Sequence, residues 1–226
     1  MPFIKVIHPS EATGRLAKIY QRVTGPGGQV DNVLQIHSLR PHSLEGHMGL
    51  YKSALHHPRN DLPTWFLEAV GVKVSLLNDC SYCAKHHAVG MKRLMAKEPE
   101  KFEACHDQLH RDHPGEPFTE KEQAALEYAR KLTLAPGFIQ DCDVQEMRDA
   151  GLSDGEILEV NQVAAYFAYA NRTVTGLGVH TAGEELGLCP PDEEEDWHHG
   201  YGSVGAGLAR EHKSPSRRFT GAREII

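Results

Sequence analysis

The fold is decided by residues 64–96, which read TWFLEAVGVKVSLLNDCSYCAKHHAVGMKRLMA. Residues 65–77 are apolar at all but three positions, and a helix that is apolar on nearly all sides is a buried one. The pair Asn78-Asp79 breaks the pattern and can cap a second helix, from about residue 80 to 96. The sequence therefore predicts two consecutive helices, the first of them buried in a core.

Helical periodicity continues along the rest of the chain, and strand patterns are scarce. Further helices are predicted at 10–23, 32–39, 41–55, 119–132, 143–150 and 153–174. Two of them open with a capping box, formed by Thr119 with Glu122 and by Ser153 with Glu156. The polar stretch 97–117 is predicted to be a solvated helix and loop. The fold class expected is therefore all-α.

One helical domain is expected over residues 1–189, in two halves at about 10–96 and 118–188. The pair Leu67-Glu68 recurs as Leu158-Glu159 in a similar apolar helix, which suggests that the halves are related. Residues 190–226 are polar and offer little for a core, so they are predicted to form an extended C-terminal tail, either disordered or packed across a partner subunit.

Charge and composition exclude several classes of function. The chain of 226 residues has 24 Lys+Arg, 31 Asp+Glu and a net charge of −7, whereas nucleic acids and anionic membranes bind basic surfaces. No apolar run approaches the roughly 18 residues of a membrane span, and residues 1–20 lack a signal-peptide pattern. A cytoplasmic location is therefore expected, where the five cysteines would not form a disulfide framework.

The candidate chemistry lies at the start of the second helix, where Cys80 and Cys83 are three residues apart. Unpaired amides and the positive end of the helix dipole favour a thiolate there. His87 lies one turn beyond Cys83, where an imidazole can take a proton from a thiol. Glu68 is the only carboxylate in the apolar run, and a buried carboxylate is costly unless paired or protonated. Antiparallel packing of the two helices would join these groups in a proton relay.

Other interpretations of the cysteine pair remain open. A thioredoxin-like site requires a βαβ context, which this chain lacks. A zinc site would draw its ligands from Cys80, Cys83, His86, His87, Cys105 and His110. The spacing of Cys105 and His110 is a poor second half for such a site. The alternative to an enzyme is thus a non-catalytic scaffold that senses oxidant or holds zinc through the same cluster.

The spacing Glu68-x11-Cys80-x2-Cys83-x3-His87 resembles the active-site signature of the alkylhydroperoxidase D-like family, within the carboxymuconolactone decarboxylase superfamily. The similarity covers about residues 3–188 and is greatest to an uncharacterised peroxidase-related branch. The resemblance implies an AhpD-like helical bundle that assembles as a homo-oligomer. It also implies a peroxidase without haem, flavin or metal.

The resemblance also implies roles for the four residues. Cys83 would attack a hydroperoxide and become a sulfenic acid, which Cys80 would capture as a disulfide. His87 and Glu68 would relay protons to and from the sulfur and the leaving oxygen. An external dithiol, either a reductant protein or a small thiol, would then reduce the disulfide.

Four further residues are candidates to line the pocket. Well-described members of the family carry a histidine where this chain has Tyr82, which could instead donate a proton or flank the pocket. His86 could compensate, although the spacing is expected to place it on a different helix face from Cys83. His37 and His47 are candidates too, with a structural role as the alternative for both.

Overall fold

The structure, a computed structural model, describes residues 1–25 and 27–187. Within these ranges it contains nine α-helices, two short 3-10 turns and no strand, which confirms the all-α prediction. The helices are α1 (Gly14–Val23), α2 (Asn32–Gln35), α3 (Pro41–Leu55), α4 (Thr64–Leu77), α5 (Ser81–Leu94), α6 (Pro99–Leu109), α7 (Glu120–Leu134), α8 (Asp141–Asp149) and α9 (Asp154–Gly176). The predicted tail, residues 190–226, lies outside the described residues.

Helix α4 lies at the centre of the fold and packs against α5, α7 and α9. Every residue from Phe66 to Ser75 is buried, as its apolar sequence predicts. Each large apolar side chain buried in this way contributes roughly 1.5–3 kcal/mol. One core cluster joins side chains of α4, α7 and α9, so helices from both predicted halves share the same apolar interior.

Lys73 interrupts the apolar run of α4 without leaving a buried charge unpaired. Its ammonium donates hydrogen bonds to the carbonyl oxygens of Leu109 at 3.4 Å and Asp112 at 3.3 Å, and also to that of Arg111. Leu109 is the last residue of α6, where the helix leaves acceptors unpaired and a cation is favourable, and Arg111 and Asp112 follow just after it. Lys73 therefore ties α6 to the central helix.

The turn between α4 and α5 sets the geometry of the site. Asp79 has φ of 53°, a left-handed conformation that Asp tolerates better than most residues. The backbone amide of Cys80 then donates to the carbonyl oxygen of Ser75 at 2.9 Å. This tight reversal lets α5 fold back along α4, with Cys80 as the N-cap of α5.

Residues 97–117 were predicted to be a solvated helix and loop, and this prediction was wrong for one face of the helix. Helix α6 buries Phe102, Cys105 and Leu109, whose spacings of three and four residues form a narrow apolar stripe.

The start of the first helix also differs: α1 begins after Thr13, because Ser10 lies in a separate 3-10 turn. Both predicted capping boxes are confirmed, at the starts of α7 and α9. No described helix is long and apolar enough to cross a membrane.

Candidate active site

The two cysteines of the motif lie side by side at the start of α5, Cys80 as its N-cap and Cys83 in its first turn. Their sulfurs are 3.0 Å apart, and both side chains are buried. Hydrogen bonding with Cys83, first through its thiol and then through its backbone amide, lowers the pKa of Cys80 to about 6, although burial opposes the shift. The same thiol contact, together with burial and the charge on Cys80, raises the pKa of Cys83. In the reduced pair Cys80 is therefore the thiolate, and Cys83 keeps its proton.

A polar cluster behind the cysteines supports that charge. The side-chain amide of Asn171 donates to Ser75 Oγ at 3.1 Å and accepts from Asn78 Nδ2 at 3.0 Å. The same side chain lowers the pKa of both thiols, as a smaller contribution. This buried asparagine from α9 thus links the end of α4 to the cysteine pair.

Glu68 and His87 form the pair that the sequence predicts. The antiparallel course of α4 and α5 brings Glu68 Oε2 within 2.5 Å of His87 Nδ1. The His87 ring meets the edge of Phe167, with ring centroids 4.6 Å apart, which holds the imidazole from the side of α9. A carboxylate bound to one ring nitrogen fixes the tautomer and leaves the other nitrogen for proton transfer.

A second histidine faces Glu68, and the sequence analysis missed it. His56 Nε2 lies 3.5 Å from Glu68 Oε1 and 2.9 Å from the hydroxyl of Tyr51. Tyr51 lies near the C-terminal end of α3 and His56 is the C-cap of this helix, which packs against α4. Nothing in the local sequence distinguishes His56 from the adjacent His57. Only the packing of α3 on α4 reveals that Glu68 lies between two imidazoles.

The structure corrects the expectation for His86. His86 lines the same cavity as Cys83, because residues three apart share a helix face. Its ring stacks on that of Tyr82, with centroids 4.5 Å apart, and its Nε2 lies 2.8 Å from Glu184 Oε1. The hydroxyl of Tyr82 accepts a hydrogen bond from the amide of Val33 at 3.1 Å. A second carboxylate–imidazole pair thus stands beside the first.

The two remaining pocket candidates, His47 and His37, differ in whether they line the cavity. His47 lines the cavity and is buried, which lowers the pKa of its imidazole to about 3. Its Nε2 lies 3.5 Å from the hydroxyl of Tyr166, whereas its Nδ1 has no partner among the described residues. His37 does not line the cavity. It packs against His47 with ring centroids 5.0 Å apart and lies 3.2 Å from Ser43 Oγ, a structural position.

These side chains surround one cavity of about 230 Å³, which has Cys83 in its wall. The rest of its lining is mostly apolar or aromatic and includes Val33, Leu34, Met48, Tyr51, Leu94, Tyr166 and Ala170. Asp31 and Arg93 are the charged residues that line it besides Glu68 and the histidines. Since an apolar cavity of about 150 Å³ holds benzene, this one has room for a ring or a branched alkyl group.

The zinc alternative gains no support from the geometry. Cys105 is buried in α6, in the apolar stripe that packs into the core. Within residues 1–25 and 27–187 no three side chains of His, Cys, Asp or Glu are grouped so that they could hold a metal ion.

Neither protein-family models nor curated protein sequences match the chain. Solved structures do. One is the AhpD core of an uncharacterised peroxidase-related protein from Ralstonia eutropha JMP134, at 21% identity and a TM-score of 0.68, covering 79% of this chain and 91% of that one. Another is a peroxidase-related protein from Silicibacter sp. TM1040, at 23% identity and a TM-score of 0.63, covering 73% of this chain and 83% of that one.

The chain therefore has the AhpD-like helical fold, as the resemblance of the cysteine motif implies. Two of the similar structures are described as peroxidase-related proteins. The same fold also includes the debrominase Bmp8, a cysteine-to-alanine variant of which was solved in complex with 2,3,4-tribromopyrrole. That chain is 18% identical at a TM-score of 0.58, with 75% of this chain and 84% of that one covered.

Proposed function

We propose that the protein is a dithiol peroxidase that reduces organic hydroperoxides. The observation that carries this proposal is one arrangement: Cys83 in the cavity wall, Cys80 at 3.0 Å from it, and the Glu68–His87 pair on the same cavity. The similar structures described as peroxidase-related proteins support it at the level of the fold.

The first step produces the alcohol. A proton passes from Cys83 to Cys80 across the contact between the sulfurs, which leaves Cys83 as the thiolate. This sulfur attacks the terminal oxygen of the hydroperoxide, so an S–O bond forms while the O–O bond breaks. Cys83 is oxidised to a sulfenic acid, and the departing oxygen gains a proton to become an alcohol.

The second step produces water and a disulfide. His87, held by Glu68, takes the proton from Cys80, whose thiolate then attacks the sulfur of Cys83. The S–O bond breaks, and the hydroxide recovers the proton from His87 and leaves as water. A dithiol reductant returns two electrons and two protons by thiol–disulfide exchange. In this scheme the chain's own sulfurs carry the electrons without haem, flavin or metal.

The decisive experiment counts thiols in the purified protein before and after one equivalent of tert-butyl hydroperoxide. The wild type is expected to lose two thiols and to release one equivalent of alcohol. Cys83→Ser should release no alcohol. The matched variant Cys80→Ser should release one equivalent once and stop at the sulfenic acid, which dimedone would trap. Turnover by Cys83→Ser would refute the assigned nucleophile.

The same assay separates the enzyme from the non-catalytic alternatives. A scaffold that only senses oxidant would lose its thiols slowly, without turnover when a dithiol such as dithiothreitol is added. A zinc-binding scaffold would contain stoichiometric zinc and would release it on oxidation. Replacement of Glu68 by Gln should slow the second step, formation of the disulfide, by about 100-fold, because the imidazole of His87 loses its charged partner.

A further inference from the structure

Within the described part of the chain two carboxylates, Glu68 and Asp31, line the cavity, and they differ in whether a partner holds them. Glu68 is fully engaged, with His87 on one oxygen and His56 on the other. The carboxylate of Asp31 accepts no hydrogen bond and forms no ion pair with any described residue. Pairs of acids whose environments differ in this way often divide the acid and base roles of a reaction.

The position of Asp31 in the chain makes its free carboxylate unusual. Asp31 is the N-cap of α2, where an aspartate ordinarily accepts hydrogen bonds from the first amides of the helix. Here other residues accept them: Glu184 Oε2 takes the amide of Asn32 at 2.7 Å, and the Tyr82 hydroxyl takes that of Val33. The Asp31 side chain makes no capping hydrogen bond, and the residue lines the cavity instead.

The surroundings of Asp31 favour its protonated form. Burial raises the pKa of the carboxyl to about 6, and the charge of Glu184 acts in the same direction. His86 and His87, on α5, oppose the shift, and the Tyr82 hydroxyl also lies in its field. A carboxyl group in such a state can give up a proton near neutral pH.

We propose that Asp31 is the acid that protonates the leaving oxygen when Cys83 attacks the hydroperoxide. The proposal rests on the proposed function and adds the source of its first proton. As the O–O bond breaks, the departing alkoxide takes the proton of the Asp31 carboxyl and leaves as alcohol, and Asp31 becomes a carboxylate. Solvent reprotonates Asp31 before the next turnover. The Glu68–His87 pair is then reserved for the proton that leaves as water.

The test compares two oxidants that differ in their need for an acid. The alkoxide released from tert-butyl hydroperoxide is a strong base, whereas peracetic acid releases acetate, which leaves without a proton. In Asp31→Asn the rate of sulfenic acid formation should fall about 100-fold with tert-butyl hydroperoxide, and less than about threefold with peracetic acid. Asn is as good an N-cap as Asp, so α2 should stay folded. Asp31→Glu, which keeps the acid, should recover part of the lost rate.

The pH profile gives a second measure. With tert-butyl hydroperoxide the wild-type rate should fall as the pH rises above about 6, because Asp31 loses its proton, and Asp31→Asn should lack this fall. Equal loss with both oxidants, or an unchanged pH profile, would overturn the role of Asp31 while the peroxidase proposal stands. Absence of wild-type turnover with both oxidants would overturn both proposals.

Discussion

Replacement of Gly71 by alanine tests whether the packing behind the site is as tight as the structure indicates. A Cβ built on Gly71 would lie 2.2 Å and 2.3 Å from two carbons of the Phe167 ring. Ordinary contacts begin at about 3.4 Å, so the ring would have to move by roughly 1 Å. Phe167 is fully buried and its ring touches His87, which leaves it little room to move.

The expected magnitude follows from two opposing effects. Overpacking of a core costs about 1–3 kcal/mol, and this clash is at the severe end. Alanine in place of glycine within a helix returns about 1 kcal/mol. Gly71→Ala should therefore lower the free energy of unfolding by about 2 kcal/mol, which corresponds to a fall in Tm of roughly 4–8 °C. The displaced Phe167 ring should also lower the peroxidase rate through His87.

The assay is urea unfolding, with Gly46→Ala in α3 as the matched control. A Cβ at Gly46 would meet no atom within 4 Å, so this change should stabilise the protein by about 0.5–1 kcal/mol. The double variant Gly71→Ala with Phe167→Leu should lose less free energy of unfolding than the sum of the losses in the two single variants, because leucine removes the clashing atoms. If Gly71→Ala is as stabilising as Gly46→Ala, the packing argument is wrong.

Two further predictions follow from the charges. Lys73→Met should lower the free energy of unfolding by about 2–3 kcal/mol, seen as a lower urea midpoint with an unchanged slope, because the carbonyls of Leu109 and Asp112 lose their donor. A fall of less than about 0.5 kcal/mol would mean that water replaces the ammonium. The ultraviolet absorbance of thiolate should rise with pH through about 6 in the wild type, since the Cys80 thiolate forms there. Cys80→Ser should lack this rise; a wild-type midpoint near the ordinary thiol value of about 8.5 would contradict the assignment.

The parts of the fold and site that the sequence could predict are those encoded within one pair of helices. The apolar run of α4 identifies a buried helix, and the turn at Asn78-Asp79 fixes its antiparallel neighbour. Glu68 and His87 can therefore be paired from spacing alone, since only one short turn separates their helices. The helix boundaries shift by a few residues because capping depends on local geometry, as Ser10 shows in its 3-10 turn.

The remaining parts depend on elements that are distant in sequence. His56 reaches Glu68 through the packing of α3, and Glu184 reaches His86 from a segment about a hundred residues away. The spacing of residues within one helix carries no information about contacts between distant segments. The recurrence of Leu67-Glu68 as Leu158-Glu159 also has little functional meaning. Glu159 accepts hydrogen bonds from the amides of Asp61 at 2.8 Å and Leu62 at 2.9 Å, just before α4, and does not line the cavity as Glu68 does.

His86 and His87 are neighbours in sequence, yet they bind carboxylates on two different elements. Glu184 holds one imidazole and Glu68 the other, so rotation of α5 about its axis would break both pairs at once. Changes that accompany the joining of Cys80 and Cys83 are therefore confined to the first turn of α5. The oxidised and reduced proteins should therefore present nearly the same cavity, to the hydroperoxide in one half of the cycle and to the reductant in the other.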